Sequence, residues 1–257
     1  MMLRSISARF RRLARLAAEP IASFRLLTDE PDPLTMLANR FGSDKGDRHF
    51  GRHQYTRVYS ELFSPLRTLP IRFLEIGLLH PVAARPQGHQ PRSRAPSLEM
   101  WASYFPAAAI IGFDIEDFSA FHLSRCQVNQ GDMGSREDLR KLSKFGPFDI
   151  IVEDASHASH HQQIALGALF SMVVPGGLYI IEDLHWQPSE MESPGVPKTR
   201  DILRRAEVTG ILQSPFFSED ESNYLNNNLA SVELYDSMDR SNRDHRDGLG
   251  VLRKRLK

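Results

Sequence analysis

The sequence predicts an α/β fold, with a mostly parallel sheet, helices on both faces of the sheet and an antiparallel end. Two apolar runs of strand length, residues 148–152 and 177–181, enclose residues 159–172, in which apolar side chains recur at helical spacing. Pro175 and the two glycines after it should break the chain before the second run. A strand–helix–strand unit of this kind gives parallel strands that usually lie side by side.

Acidic residues follow both of these strands. Asp154 comes after the first strand, Glu182 and Asp183 come after the second, and His157 lies one short loop beyond Asp154. Parallel strands end at one edge of a sheet, where open α/β sheets bind ligands, so these side chains should converge. An all-oxygen cluster suits a hard divalent ion such as Mg²⁺ or Mn²⁺. The alternative is that the acids only end the strands and cap the next helix, with Asp154 or Ser156 as the cap.

The composition sets wide limits on function. The 257 residues fit one large α/β domain or two small ones, and 32 basic residues balance 32 acidic residues. No global field therefore favours nucleic acid or acidic substrates. The single cysteine, Cys126, excludes an intramolecular disulfide and a cysteine-based metal cluster, which favours a reducing, cytoplasmic location. No apolar run approaches the ~20 residues that span a bilayer.

Residues 1–37 are predicted to form a basic helical extension and linker, ahead of a domain at residues 38–257. Six arginines occur between positions 4 and 25, and the first acid is Glu19. This composition fits an organelle-targeting helix or an amphipathic helix that contacts a membrane surface. It also fits a helix that packs on its own domain or on a second subunit of a homo-oligomer.

Residues 38–63 mix Asp, Lys, His and Tyr, and three glycines interrupt any helix before residue 55. Polar, glycine-punctuated segments beside a helix often form active-site lids. An ordinary surface connection is the alternative.

The first strand of the predicted sheet is residues 71–77, with Glu75 and Gly77 at its end, where a nucleotide-type cofactor could approach the backbone. The further glycines of a dinucleotide fingerprint do not follow, and residues 81–96 are typical of a flexible, proline-rich insertion. Asp114 ends the second strand, residues 107–114, in the position where nucleotide-binding sheets grip a ribose diol.

Shorter patterns predict the remaining elements. Ser97 should cap the helix that leads to the second strand, and Ser135 should cap a later helix. Residues 126–129 fit a short third strand, with Asp132 just beyond it. Residues 230–235 and 248–253 alternate well enough to be two late strands, which would close the sheet as an antiparallel pair.

Six stretches of the sequence together resemble one family. They are FGSDKGDRHFGRHQYTRVYSELF, FLEIG, SLEMWASYFPAAAIIGFDIEDF, QGDM, FDIIVEDASH and GGLYIIEDLHW, and the resemblance extends over residues 38–255. On these motifs the chain resembles the class I S-adenosylmethionine-dependent methyltransferases, and among them the metal-dependent sugar O-methyltransferases of macrolide biosynthesis. VEDASH followed by IIEDLH is the most specific pair, whereas FLEIG alone would be weak.

The resemblance implies a Rossmann-like methyltransferase domain that uses S-adenosyl-L-methionine and Mg²⁺, or Mn²⁺ in its place. It implies His157 as the general base. The residues that it places on the metal are Asp154, Glu182 and Asp183, and those that it places on the cofactor are Glu75, Gly77, Asp114 and Asp132. The chain departs from the family after Gly77, where LLHPVAARPQ replaces a glycine-rich loop.

The resemblance therefore predicts a metal-dependent O-methyltransferase that acts on a hydroxyl of a small molecule, with a sugar on a natural product or glycan as the expected acceptor. His160, His161 and His185 are expected at surface positions. Two other classes stay open. One is a non-haem metal oxygenase, which needs two histidines and one carboxylate on the ion. The other is a non-catalytic binding protein that has lost the cofactor loop.

Overall fold

A computed structural model describes residues 32–48, 52–78, 95–238 and 247–256 of the chain. The predictions for the basic extension and for the proline-rich insertion fall mostly outside these ranges. Within the described part of the chain, no helix is long and apolar enough to cross a bilayer.

A seven-stranded sheet forms the centre of the molecule. Its strands are β1 (Arg72–Ile76), β2 (Ala109–Asp114), β3 (Cys126–Gln130), β4 (Phe148–Glu153), β5 (Val173–Ile181), β6 (Leu229–Tyr235) and β7 (Leu249–Lys254). In space they follow the order β3-β2-β1-β4-β5-β7-β6, with β1 to β5 parallel and β7 antiparallel to both β5 and β6. This arrangement confirms the predicted mostly parallel sheet with an antiparallel end.

Helices cover both faces of the sheet, as predicted. They are α1 (Pro33–Phe41), α2 (Thr56–Phe63), α3 (Pro96–Tyr104), α4 (Arg136–Arg140), α5 (Ser159–Leu169), α6 (Thr199–Thr209) and α7 (Glu219–Asn228), and short 3₁₀ helices follow at Ser64–Leu66, Lys141–Lys144 and Phe170–Met172. Side chains alternate along a strand. Phe73 of β1 therefore packs in the buried cluster that contains α1, α2 and α3, whereas Leu74 packs in the cluster that contains α4 to α7.

The crossover from β4 to β5 differs from the prediction at one point. β5 begins at Val173, so Pro175 and the glycines after it lie inside the strand rather than before it. The pairing with β4 shifts register at this irregularity. Gly177 approaches β4 so closely that a Cβ would lie 2.7 Å from the carbonyl oxygen of Asp149, which explains why glycine stands here.

Ser97 does not cap α3, contrary to the prediction. The residue before the helix is Ala95, which makes no side-chain capping bond. The hydroxyl of Ser97 instead donates to Oε2 of Glu75 at 2.7 Å. The predicted cap at Ser135 is confirmed, because its Oγ accepts the N–H of Asp138 at 3.3 Å.

The carboxyl ends of the parallel strands lie at one edge of the sheet. β1 pairs with β4 so that Ile76 lies opposite Glu153, and β4 pairs with β5 so that Glu153 lies opposite Ile181. The residues that follow these three strands are therefore neighbours in space. They are Gly77, Asp154 and Glu182.

Candidate active site

Asp154, His157 and Asp183 form a three-residue cluster at this edge of the sheet. One side-chain ligand atom from each residue lies within 4.8 Å of the other two. Oδ2 of Asp183 faces Nε2 of His157 at 3.8 Å, and the side chains of Asp154 and Asp183 are 19% and 15% exposed. Two carboxylates and an imidazole at this spacing could hold one divalent ion and leave positions for other ligands.

Glu182 lies beside this cluster but is engaged by other side chains. It is 1% exposed. Its Oε2 accepts a hydrogen bond from Nζ of Lys45 at 2.9 Å, and its Oε1 accepts one from the hydroxyl of Tyr59. The structure thus joins two of the three predicted carboxylate ligands to the predicted base. The ligand role of Glu182 stays a prediction.

Tyr55 fixes the position of Asp183. Its hydroxyl donates to Oδ1 of Asp183 at 2.6 Å and accepts the backbone N–H groups of Asp183 at 3.2 Å and of Gly248 at 3.0 Å. The buried ring stacks on His53, whose Nδ1 lies 3.8 Å from the same carboxylate oxygen. Burial and the nearby carboxylates raise the pKa of Tyr55 well above its usual value, so its hydroxyl stays protonated.

Lys45 is an internal cation in this acidic surrounding. Its Nζ donates to Oδ2 of Asp154 as well as to Glu182, and it lies 3.7 Å from Oε1 of Glu75. Burial alone would lower the pKa of Lys45, but these carboxylates raise it well above its usual value. The sequence predicts a lid or a plain connection for residues 38–63. Three residues of this segment, Lys45, Tyr55 and Tyr59, supply a partner to each of the three predicted metal carboxylates.

The backbone is strained at four residues around the site. Arg52, Gln54, His157 and Asp183 have φ of 43°, 56°, 55° and 54°. Left-handed backbone is uncommon for residues other than glycine, and such strain clusters at functional sites. The hydrogen bonds of Tyr55 hold Asp183 in this conformation, so its carboxylate is fixed against the cluster.

A cavity of about 400 Å³ opens next to the cluster, at the ends of β1, β2, β3 and β4. Gly77, Asp114, Asp132 and Asp154 line it, and the apolar lining residues include Phe113, Ile115, Met133 and Met191. The φ of Gly77 is +88°, and a Cβ there would lie 2.0 Å from the carbonyl oxygen of Asp154. Only glycine lets these two loops meet. Three of the four predicted cofactor residues therefore surround one cavity.

Asp114 joins the loop after β1 to the loop after β2. It is 6% exposed. Its Oδ2 accepts the N–H of Leu78 at 2.7 Å, and its Oδ1 accepts the N–H of Glu116 at 2.8 Å. Asp132 follows β3, and its Oδ1 accepts the N–H of Gly134 at 2.7 Å. Both carboxylates are thus held rigidly at the wall of the cavity.

Glu75, the fourth predicted cofactor residue, is not among the residues that line this cavity. It is fully buried, and its two oxygens face Ser97 and Lys45. Burial raises the pKa of Glu75 to about 7. Contact of Glu75 with a cofactor stays a prediction.

His161 is half-buried on α5 and also lines the cavity, a position next to the site that the sequence analysis does not predict. Its Nδ1 lies 2.9 Å from Oγ of Ser156, and its ring lies 4.1 Å from that of His160. His185 is half-buried and its Nε2 lies 3.5 Å from the carboxylate of Asp236. The position of His161 in the first turn of α5 is the signal that could have found it, because a helix after a parallel strand starts at the carboxyl edge of the sheet.

The residues present fit both a divalent ion and a nucleoside cofactor. Asp154 and Asp183 offer the oxygen donors that Mg²⁺ and Mn²⁺ prefer. The cavity combines acids at strand ends, which suit a ribose, with apolar walls that suit a flat ring. A glycine cradle at residue 77 lets a ligand approach the backbone.

Several curated O-methyltransferases are similar in sequence to this chain. It is 39% identical to demethylmacrocin O-methyltransferase of Streptomyces fradiae over 195 residues, which are 72% of this chain and 47% of that protein. It is 31% identical to mycinamicin VI 2''-O-methyltransferase of Micromonospora griseorubida over 219 residues, 80% of this chain and 51% of that protein. The chain spans about half the length of the curated relatives it matches. No protein-family model matches it.

A solved structure supports the same relationship. The MycE methyltransferase from the mycinamycin biosynthetic pathway, in complex with Mg, SAH and mycinamycin VI, is 29% identical to this chain. The two align with a TM-score of 0.63 over 89% of this chain and 56% of that chain. These matches confirm both the predicted fold class and the predicted resemblance.

Proposed function

We propose that this chain, a relative of the natural-product sugar O-methyltransferases, is itself a metal-dependent O-methyltransferase that moves a methyl group from S-adenosylmethionine to a hydroxyl. One observation carries the proposal. Asp154 belongs both to the cluster with His157 and Asp183 and to the wall of the cofactor cavity. A methyl donor in the cavity and an acceptor at the cluster would meet at this carboxylate.

One group of residues is assigned to the methyl donor and a second group to the ion and the acceptor. The cofactor supplies an electrophilic methyl group, and the ion stabilises negative charge on the acceptor oxygen. Asp154 and Asp183 would hold the ion, with Glu182 as a further ligand. The residues that would contact the cofactor are Gly77, Asp114, Asp132 and Glu75. Holding donor and acceptor side by side in this way would contribute to the rate by orienting them.

We assign the role of proton acceptor to His157. Its Nε2 faces Asp183 at 3.8 Å, and the edge of its ring packs against Trp186 with the ring centroids 5.2 Å apart, which limits its motion. With a methyl donor and an acceptor bound, Nε2 would accept the proton that the acceptor hydroxyl loses. A general base of this kind typically contributes about 10²–10⁴-fold.

A glycosylated small molecule is the acceptor class that the comparisons favour. The MycE structure is a complex with Mg, SAH and mycinamycin VI, and the two relatives in sequence are named as O-methyltransferases of mycinamicin VI and of demethylmacrocin. The partial exposure of Asp154 and Asp183 gives such an acceptor access to the cluster. A cytoplasmic location, favoured by the single cysteine, is part of the proposal.

A methyl-transfer screen tests this function. The full chain is incubated with S-adenosylmethionine, Mg²⁺ and pairs of glycosylated compounds and their aglycones, with mass detection of the products and His157→Ala as the control for contaminating activity. Methylation of glycosylated members supports the proposal. Binding of the cofactor product with no methyl transfer would favour the non-catalytic class. Turnover that needs iron and oxygen but no S-adenosylmethionine would favour the oxygenase.

A further inference from the structure

We propose that Lys45 is a positioning residue that sets the charge of the acidic cluster, by which we mean the carboxylates around Asp154. Because of the positive charge of Lys45, the site binds the positively charged methyl donor less tightly, relative to the neutral product, than it would without this lysine. The inference rests on the proposed function, because it concerns how tightly that site binds its own substrate and product. Lys45 itself contacts carboxylates and not the reacting atoms.

The contacts of Lys45 place one positive charge among three acids. Lys45 is 1% exposed, and its Nζ donates to Asp154 and to Glu182 and lies 3.7 Å from Glu75. Burial lowers the pKa of Lys45, but the neighbouring carboxylates, Asp154 first, raise it by more, so the ammonium keeps its charge. Two of these acids, Asp154 and Glu182, are predicted metal ligands, and Glu75 is a predicted cofactor residue.

The backbone that carries Lys45 is held in place by its neighbours. The carbonyl of Lys45 accepts the N–H of Thr56 at 3.1 Å, and the carbonyl of Gly46 accepts the N–H of Gln54 at 3.0 Å. Gly46 packs so tightly that a Cβ would lie 2.6 Å from Oδ1 of Asn39. The backbone at Lys45 and Gly46 is therefore held against the start of α2 and against α1.

Lys45 stands one side chain away from the cofactor cavity, because Asp154 both binds it and lines the cavity. S-adenosylmethionine carries a positive sulfonium, whereas the product S-adenosylhomocysteine has a neutral thioether. Carboxylates beside the cavity favour binding of the charged S-adenosylmethionine over the neutral product. The positive charge of Lys45 reduces that preference. Methyl transfer removes the positive charge from sulfur, so a site that holds the sulfonium less tightly loses less on the way to the transition state.

The ratio of two dissociation constants tests this inference. The Kd values for S-adenosylmethionine and S-adenosylhomocysteine are measured by calorimetry at fixed Mg²⁺, without acceptor. We expect Lys45→Met to shift the ratio about tenfold toward the charged donor, the scale of one unit charge acting across several ångströms of a partly screened site. Lys45→Arg, which keeps the charge, should stay near the wild-type ratio. Affinity for Mn²⁺ alone should rise in Lys45→Met for the same reason.

Lys254→Met is the matched control. Lys254 is 3% exposed, but its Nζ donates to the backbone carbonyls of Ser171 and Val173, at the other end of β5. This variant loses an ammonium of similar burial without touching the acidic cluster, so its Tm should fall while the ratio stays unchanged. Lys45→Gln removes the same charge as Lys45→Met and provides the readout if the methionine variant does not fold.

The outcomes distinguish a failure of the proposed function from a failure of the role of Lys45. A wild-type chain that binds neither compound would overturn the proposed function. A wild-type chain that binds both, with neutral Lys45 variants that keep its ratio within about twofold, would overturn only the role of Lys45. A tenfold shift in the neutral variants, absent from Lys45→Arg and Lys254→Met, supports it.

Discussion

His157 and Asp154 lie in one cluster but have different proposed roles, His157 as the general base and Asp154 as a metal ligand. His157→Ala should keep Mn²⁺ and cofactor affinity and lose about 10²–10⁴ in kcat, because it removes only the proton acceptor. Asp154→Ala should instead weaken Mn²⁺ binding, and excess Mg²⁺ should restore part of the activity. Free Mn²⁺ measured by electron paramagnetic resonance, beside the methyl-transfer rate, distinguishes the two variants. If His157→Ala lowers Mn²⁺ affinity as much as Asp154→Ala does, His157 is a ligand and not the base.

Glu153 shows how burial at the end of β4 links stability to pH. It is fully buried, and burial raises its pKa from 4.5 to about 8. A carboxyl group with a raised pKa in the folded state binds its proton more tightly there than in the unfolded chain. The wild type should therefore lose stability as the pH rises from 4.5 to about 8, by up to ~1.4 kcal/mol per pH unit.

Glu153→Gln removes this titration. Its free energy of unfolding should exceed that of the wild type by a margin that grows between pH 5 and pH 8, as measured by denaturant titration at both values. Glu137→Gln, at an exposed position of α4, is the control and should show no growing margin. Parallel stability curves for Glu153→Gln and the wild type would contradict the assignment.

The sequence predicts the residues that follow strands better than the residues that pair with them. Asp154 and Asp183 could be placed because parallel strands end at one edge of the sheet. Lys45 and Tyr55 could not, because their partners Asp154 and Asp183 lie 109 and 128 residues away in the chain. A contact of that separation depends on how the segment folds back over the sheet, which no local pattern encodes.

At the scale of elements, the junction of β1 and β4 depends on Gly77. Gly77→Ala should destabilise the fold by more than the ~1–2 kcal/mol cost of left-handed backbone, because its Cβ would lie 2.0 Å from the carbonyl oxygen of Asp154. It should also weaken binding of S-adenosylhomocysteine, since both loops line the cavity. Gly210→Ala is the matched control, with φ of +69° and open space around its Cβ. Equal losses in the two variants, measured by thermal unfolding, would show that the close approach has no energetic role.

Strands that are buried along their whole length could be predicted from the sequence. All six residues of β4 are buried, and its apolar run indicates a central strand directly. The start of β5 was not predictable, because Pro175 and its glycines suggest a break and only pairing with β4 keeps the chain extended. The cap at Ser97 failed for a similar reason. A buried carboxylate, Glu75, competes for the hydroxyl, and the sequence gives no sign of that contact.

At the scale of the whole molecule, the order of the strands decides where the site forms. β1 and β4 lie side by side in the sheet although about seventy residues separate them, and β5 follows beside β4. That order puts the cofactor cavity after β1, β2, β3 and β4 and the acidic cluster after β4 and β5, so the two share Asp154. The fold class was predictable from the strand–helix–strand pattern, whereas the shared carboxylate follows only from the completed sheet.

The dependence of methyl transfer on a divalent ion shows whether the acids at the sheet edge hold a catalytic metal. The rate with a glycosylated acceptor is measured by mass in excess chelator, and again after Mg²⁺ or Mn²⁺ is added back beyond the chelator. Because Asp154 and Asp183 are proposed to hold the ion at the acceptor oxygen, we expect activity to vanish in chelator and to return with either metal. Undiminished turnover in excess chelator would contradict the metal assignment and the mechanism built on it.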